Sequence, residues 1–200
     1  MHRIEFYFDC SSPWTYLAFE QLLQRLPATR ASIVWKPILV GGVFNTVNPS
    51  VYAAREHPVP AKVAYAKKDL QDWARHVGIV IGSPPVFPVN SVKAMRGAFV
   101  ALEHDLLVPY ARSVFRTYWQ DLADISQDEV LGQCVDAAGL SREEFFARIA
   151  QPEYKNRLRE STDELIARGG FGSPTFFVDG EDMYFGNDRV PLLLHALGVR

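Results

Sequence analysis

The strongest constraint on the fold is that strand signals occupy the two ends of the chain and helical signals the stretch between them. Residues 3–8 are rich in β-branched and aromatic side chains and predict a buried strand. A helical run follows, with Ser12 as a favourable N-cap and Pro13 as its first residue. A second strand is predicted at 31–38. Strand, helix and strand in this order form a βαβ unit, so we expect a parallel strand pair with a right-handed crossover.

The pattern changes after the second predicted strand. Residues 39–60 contain several Gly, Asn and Pro residues and predict a long loop, and loops above about 15 residues in a compact domain are usually functional or mobile. Apolar residues at helical spacing then continue as far as a glycine pair at 169–170. Capping boxes predict the starts of two of these helices, Ser126 with Glu129 and Ser141 with Glu144.

The strand signal returns near the C-terminus. Residues 175–178 and 183–185 predict a hairpin, and a last helix follows with Asn187 or Asp188 as its N-cap. The order βαβ, helical block, ββα predicts an α/β fold, a thioredoxin-like domain interrupted by an all-helical insertion. We expect residues 1–45 and 170–200 to form the discontinuous thioredoxin-like domain, and 46–169 to form the helical insertion with its preceding loop.

Charge and hydropathy disfavour several classes of partner. The 21 Lys and Arg against 23 Asp and Glu give a net charge of -2, so sequence-independent nucleic-acid binding has no electrostatic support. No apolar run approaches the roughly 20 residues that cross a bilayer, and the N-terminus lacks the apolar region of a signal peptide. We therefore expect a cytoplasmic protein that binds neither membrane nor nucleic acid. The 5 histidines show no metal-ligand spacing, so no metal is expected.

The two cysteines do not form a redox motif. Cys10 and Cys134 are far apart and no C-x-x-C is present, so both are expected to be free thiols. Cys134 lies on an apolar helical stripe and is expected in the core, and Cys10, which follows a buried strand, is expected to be inert.

Three short segments are expected to meet in such a fold: 12–15 at the start of the first helix, 172–175 before the third strand, and 186–189 before the last helix. Their residues resemble the 2-hydroxychromene-2-carboxylate isomerase family, relatives of the kappa-class glutathione transferases in the wider DsbA-like group. The resemblance in element order covers essentially the whole chain. The specific motifs are Phe6-Tyr7-Phe8-Asp9 with Ser11-Ser12-Pro13 and Tyr16-Leu17, then Phe171-Gly172-Ser173-Pro174-Thr175, then Phe185-Gly186-Asn187-Asp188-Arg189.

The resemblance implies an enzyme that uses glutathione as cofactor to isomerise a small aromatic or unsaturated acid by reversible thiolate addition. It also implies a homodimer. Ser12 and Thr15 would stand where a redox relative has its two cysteines, and Ser12 would hydrogen-bond the glutathione sulfur. The other implied glutathione contacts are the backbone of Ser173 beside a cis Pro174, Asn187 and Asp188 at the γ-glutamyl end, and Asn48 and Lys62 on the remainder.

Physical chemistry makes a donor role for Ser12 reasonable. A serine hydroxyl without a base is a poor nucleophile, and the chain has no G-x-S-x-G elbow. A helix N-terminus stabilises a thiolate by about 0.3–2 kcal/mol, and a hydroxyl donated to a charged acceptor adds about 1.5–3 kcal/mol. Together these would lower a thiol pKa near 8.5 by roughly two units.

Other interpretations remain open on the sequence alone. Ser12 and Asp188 each occur where a simple helix cap is expected. Asn90 and Arg96 could bind a substrate carboxylate or lie on a solvated helix face. The alternative functions are a kappa-class glutathione transferase, a disulfide oxidoreductase, which the missing C-x-x-C disfavours, and a non-catalytic thioredoxin-like module.

Overall fold

The structure, a computed structural model, describes residues 2–28 and 31–198. Its strands and helices follow the predicted order of βαβ, helical block and ββα. They are β1 (His2–Phe8), α1 (Pro13–Arg25), β2 (Ala31–Pro37), α2 (Val40–Val47), α3 (Ser50–Glu56), α4 (Pro60–Val77), α5 (Val92–Glu103), α6 (Leu107–Trp119), α7 (Asp128–Ala137), α8 (Arg142–Ile149), α9 (Pro152–Ala167), β3 (Thr175–Val178), β4 (Asp182–Phe185) and α10 (Val190–Ala196). Short 3₁₀ turns at Leu26–Ala28 and Asn187–Arg189 follow α1 and precede α10.

The four strands form one mixed sheet in the order β2-β1-β3-β4. β1 pairs with β2 in parallel, with Phe6 opposite Trp35, as the βαβ pattern predicts. β1 also pairs antiparallel with β3, with Phe6 opposite Phe176, and β3 continues into β4 as the predicted hairpin. The interruption of this thioredoxin-like sheet by α2–α9 confirms the predicted fold class.

The central strand β1 is buried on both faces because helices cover the sheet on each side. Ile4, Phe6 and Phe8 belong to the main core, which includes α1 and most of the helical block. Tyr7 points to the opposite face and packs with Leu165 of α9 in a smaller core. This alternation follows from the two-residue repeat of a strand, and it places the carboxyl end of β1 beneath the start of α1.

The predicted loop over 39–60 is wrong: most of this segment is helical, in α2 and α3, and α4 begins at its last residue. α2 packs against α9, and a Cβ placed on Gly42 would lie 3.4 Å from the Cγ2 atom of Thr162. Buried Val43 supports the same contact. Tertiary packing therefore overrides the low helix propensity of glycine in this segment.

The cap predictions have mixed outcomes. Ser12 and Ser141 cap α1 and α8 as expected. Ser126 does not cap α7, because the helix begins two residues later with Gln127 as its N-cap, and the Ser126 hydroxyl accepts from the Gln127 side chain instead. Asn187 and Asp188 do not cap the last helix, because they form the 3₁₀ turn that precedes α10.

The described ranges contain no helix that is both long and apolar enough to cross a membrane. The proposed division into residues 1–45 with 170–200 and 46–169 stays a prediction, and its first boundary falls inside α2.

Candidate functional site

Ser12 stands at the N-terminus of α1 with its hydroxyl at the centre of the candidate site. Its Oγ accepts the amide hydrogen of Thr15 at 3.3 Å and donates to the carbonyl oxygen of Ser173 at 3.3 Å. The side chain is half-buried, and the first turn of α1 holds no acidic residue. The hydroxyl is therefore joined to the free amides of a helix start, where negative charge is favoured.

The segment before β3 lies directly against this helix start. The Ser173–Pro174 peptide bond is cis, as the resemblance implies. The Ser173 side chain accepts the Asp9 amide at 3.2 Å and pairs with Thr15 Oγ1 at 2.8 Å. Thr15 therefore ties α1 to this segment.

The third segment completes the cluster. The Gly186 amide donates to the Pro174 carbonyl oxygen at 3.1 Å, and Gly186 has φ of 104°. A Cβ there would lie 2.6 Å from Asp188 Oδ1, so only glycine fits without rearrangement. Asn187 is buried, and its carbonyl oxygen accepts from Gln21 of α1 at 3.4 Å. The three predicted segments do meet.

A buried carboxylate beneath Ser12 was missed as a candidate site residue. Asp9 is fully buried at the end of β1. Its Oδ1 accepts the Ser11 amide at 2.9 Å, and its Oδ2 accepts the Val40 amide at 2.9 Å and the Ser91 hydroxyl at 3.1 Å. Burial raises the pKa of Asp9, and these donors partly offset the rise. An acidic residue that directly follows a buried aromatic strand was the sequence signal for it.

The outer candidate residues differ in their relation to this cluster. Asn48 Nδ2 donates to the carbonyl oxygen of Phe171 at 3.1 Å, next to the 172–175 segment. Asp188 is exposed and forms an ion pair with Arg189 at 2.9 Å. Lys62 is exposed in the first turn of α4, and within the described part of the chain it forms no hydrogen bond or ion pair with the cluster. The assignment of Lys62 to the site stays a prediction.

The two cysteines lie in the protein interior. Both are free and buried. Burial raises the pKa of Cys10 well above its usual range, and it also raises the pKa of Cys134. Cys134 Sγ lies 3.3 Å from Thr117 Oγ1 within the core. The expectation that both thiols are free is confirmed, and their lack of reactivity stays a prediction.

The two residues after the Pro-rich connector have separate environments. Asn90 Oδ1 accepts the Val92 amide at 3.1 Å at the start of α5. Arg96 is half-buried and borders a cavity lined by α2, α5 and α9, and Ser12 is not among the residues that line it. Neither residue contacts the Ser12 cluster through a hydrogen bond in the described ranges.

Comparison with known proteins agrees with this geometry. A family model described as a DSBA-like thioredoxin domain matches residues 3–198. Glutathione S-transferase kappa 1 of Homo sapiens is 30% identical over 212 residues, covering 98% of this chain and 91% of the relative. The 2-hydroxychromene-2-carboxylate isomerase of Pseudomonas putida is 30% identical over 200 residues, covering 98% and 94%.

A solved structure of 2-hydroxychromene-2-carboxylate isomerase is 27% identical, with a TM-score of 0.82, and covers 98% of this chain and 94% of that one. The family model and the relatives thus span nearly the whole described chain. The chain belongs to the DSBA-like thioredoxin domain family, in which it is similar to 2-hydroxychromene-2-carboxylate isomerases and kappa-class glutathione transferases.

Proposed function

We propose that this protein is a glutathione-dependent isomerase that acts on 2-hydroxychromene-2-carboxylate-type acids and forms trans-o-hydroxybenzylidenepyruvate-type products, in the breakdown of aromatic compounds. The observation that carries the proposal is the position of the Ser12 hydroxyl. It lies at the N-terminus of α1 and within hydrogen-bond distance of the Ser173 carbonyl oxygen. A cytoplasmic location and a homodimer belong to the same proposal.

The residues present fit glutathione. Asn187 Nδ2 is buried and has no hydrogen-bond partner in the described structure, so a donor is left unused beside the cluster. Such a group costs free energy unless an acceptor pairs with it, and a γ-glutamyl carboxylate is an acceptor of the right charge. Ser173 would pair through its backbone with the peptide part, Asp188 would bind the γ-glutamyl amine, and Asn48 and Lys62 would contact the remainder.

Glutathione would supply the nucleophilic sulfur. Its reversible addition to the unsaturated acid would free a carbon–carbon bond to rotate, and its elimination would then regenerate glutathione unchanged. Ser12 would turn its hydroxyl from the Ser173 carbonyl oxygen toward that sulfur and donate to it. The Thr15 amide would keep its hydrogen bond to Ser12 Oγ. A hydroxyl and a helix start both favour the ionised sulfur, so the chain would hold a thiolate without a protein thiol that could trap it.

The alternative is a glutathione transferase of the kappa class, with the same thiolate but a substrate that loses a leaving group. The chain is 30% identical to the human kappa-class protein and 30% identical to the Pseudomonas putida isomerase, so sequence identity favours the transferase and the isomerase equally. The two activities share the Ser12 site and differ only in substrate.

The test is conversion of 2-hydroxychromene-2-carboxylate with and without glutathione, followed by ultraviolet absorbance. The isomerase proposal expects turnover that requires glutathione. It also expects Ser12→Ala to lose about 10- to 150-fold in kcat/KM, because one donor to a charged acceptor is removed. Ser11→Ala is the matched control and should keep its activity, because Ser11 is a half-buried neighbour and the substitution keeps the hydrogen bond from its backbone amide to Asp9. Turnover of a chloronitroaromatic but not of the chromene would establish the transferase instead.

A further inference from the structure

A cavity of about 270 Å³ lies among α2, α5 and α9, on the side of α2 that packs against α9. It is smaller than the usual 300–1,000 Å³ of drug-sized ligand sites, so it suits a small molecule. None of Ser12, Ser173 and Asn187 borders it. Its lining residues are Leu39, Gly42, Thr46, Val92, Arg96, Lys155, Leu158, Arg159, Thr162, Asp163 and Ile166.

The charged part of this lining is mostly cationic. Arg96, Lys155 and Arg159 border the cavity together with a single acidic residue, Asp163. Arg159 has only a 3.5 Å contact to Asn156, and no ion pair to Lys155 occurs among the residues that the structure describes. These side chains therefore leave an excess of positive charge around the opening.

Arg96 is the cation whose environment points to a ligand. Its Nε is buried and has no hydrogen-bond partner, and its Nη1 makes only a 3.4 Å contact to the Ile149 carbonyl oxygen. A guanidinium is always charged and carries five donors, and buried donors without acceptors are costly. Arg96 is half-buried and borders the cavity, so an anion there would supply an acceptor to the accessible part of its guanidinium.

The rest of the wall is apolar. Leu158 is buried, and Leu39, Val92 and Ile166 are half-buried along the cavity. A ligand that fits must therefore combine one negative group with an apolar body. Inorganic phosphate or sulfate would leave these four side chains without contacts.

We propose that this cavity is a second small-molecule site, separate from the Ser12 site, which binds an organic monocarboxylate with an aromatic or branched apolar body. The carboxylate pairs with Arg96, Lys155 and Arg159 at the charged side, and the apolar body contacts Leu39 and Leu158. This inference goes beyond the proposed function and does not depend on glutathione.

The test is calorimetric titration of the full chain with trans-cinnamate, without glutathione, and with cinnamamide as the neutral analogue. The wild-type protein should bind cinnamate, more weakly as salt concentration rises, and should bind cinnamamide at least tenfold more weakly. Arg96→Gln should raise the Kd for cinnamate about tenfold or more, because a charged donor is lost. The Lys155→Ala/Arg159→Ala pair should raise it about fivefold, as expected for exposed charges.

Asp163→Asn should lower the Kd for cinnamate by about two- to fivefold, because it removes the one negative side chain at the cavity. Lys67→Ala, an exposed lysine of α4 outside the cavity, is the matched control and should leave the Kd unchanged. These exposed positions keep the test valid even if Arg96→Gln fails to fold.

Three results would overturn the proposal: no binding to the wild-type protein, equal affinity for cinnamamide, or an unchanged Kd in the Lys155→Ala/Arg159→Ala and Asp163→Asn variants. Loss of cinnamate binding in Ser12→Ala, or competition by glutathione, would place the acid at the Ser12 site and would also overturn it. Failure of the proposed isomerase activity changes none of these outcomes.

Discussion

Replacement of Asp9 tests how the Ser12 loop is held. Asp9→Ala removes the acceptor of three buried donors, the Ser11 and Val40 amides and the Ser91 hydroxyl. Each unsatisfied buried donor costs about 1–3 kcal/mol, roughly 3–9 kcal/mol together. Release of a buried charge offsets several kcal/mol of that loss. We expect a net loss of about 2–4 kcal/mol in the free energy of unfolding, measured by urea denaturation.

Ser91→Ala is the matched control, because it removes one donor and keeps the two hydrogen bonds from backbone amides to the carboxylate. It should cost about 1 kcal/mol. If Asp9→Ala were no less stable than Ser91→Ala, the carboxylate would not organise this loop, and the account of the site would be wrong at its base.

The pH dependence of Asp9 has a definite sign. Burial raises its pKa in the folded protein above the ordinary 3.8. The stability that it contributes is therefore fully present below pH 3.8 and is lost as the pH rises through the folded pKa. The stability gap between wild type and Asp9→Asn should be widest at the lowest pH where both remain folded, and should narrow toward neutral pH. A gap that widens with pH would contradict the raised pKa.

Three further predictions concern the surroundings of the site. Gly186→Ala should cost more than the about 1–3 kcal/mol of backbone strain that a residue other than glycine suffers at positive φ with ψ of 154°, because its Cβ would also meet a carboxylate oxygen at 2.6 Å. Gly180→Ala, with φ of 88° and open space around it, should show the strain alone in the same denaturation assay. Cys10 and Cys134 should react with a thiol reagent only after unfolding, because both are buried with raised pKa values, and fast labelling of the native protein would contradict this. Asn187→Leu should weaken glutathione binding about tenfold by calorimetry without loss of stability, because its buried Nδ2 has no partner to lose; unchanged affinity would remove it from the site.

Local signals were enough to predict the frame of the fold. The strand at 3–8, the Ser12 and Pro13 helix start and the strand at 175–178 each follow from a few consecutive residues, and the structure contains all three. The crossover rule then determined that β1 and β2 are parallel. The meeting of Ser12 with Ser173 followed from the order of elements and from the family resemblance.

The parts that sequence reasoning missed depend on distant contacts. Gly42 is helical because α2 packs closely on Thr162 of α9, which is far away in sequence. The role of Asp9 depends on Val40 and Ser91, which lie in separate elements. No local pattern reports such contacts, and the same reason applies to the cavity beside Arg96.

The pKa of the glutathione thiol, measured on the bound tripeptide by thiolate absorbance across pH, tests the central claim most directly. The account predicts a value about two units below the usual 8.5 or so in the wild-type protein. It also predicts that Ser12→Ala raises this pKa by about one to two units while glutathione stays bound. The same thiol pKa in both proteins would contradict the role of the Ser12 hydroxyl.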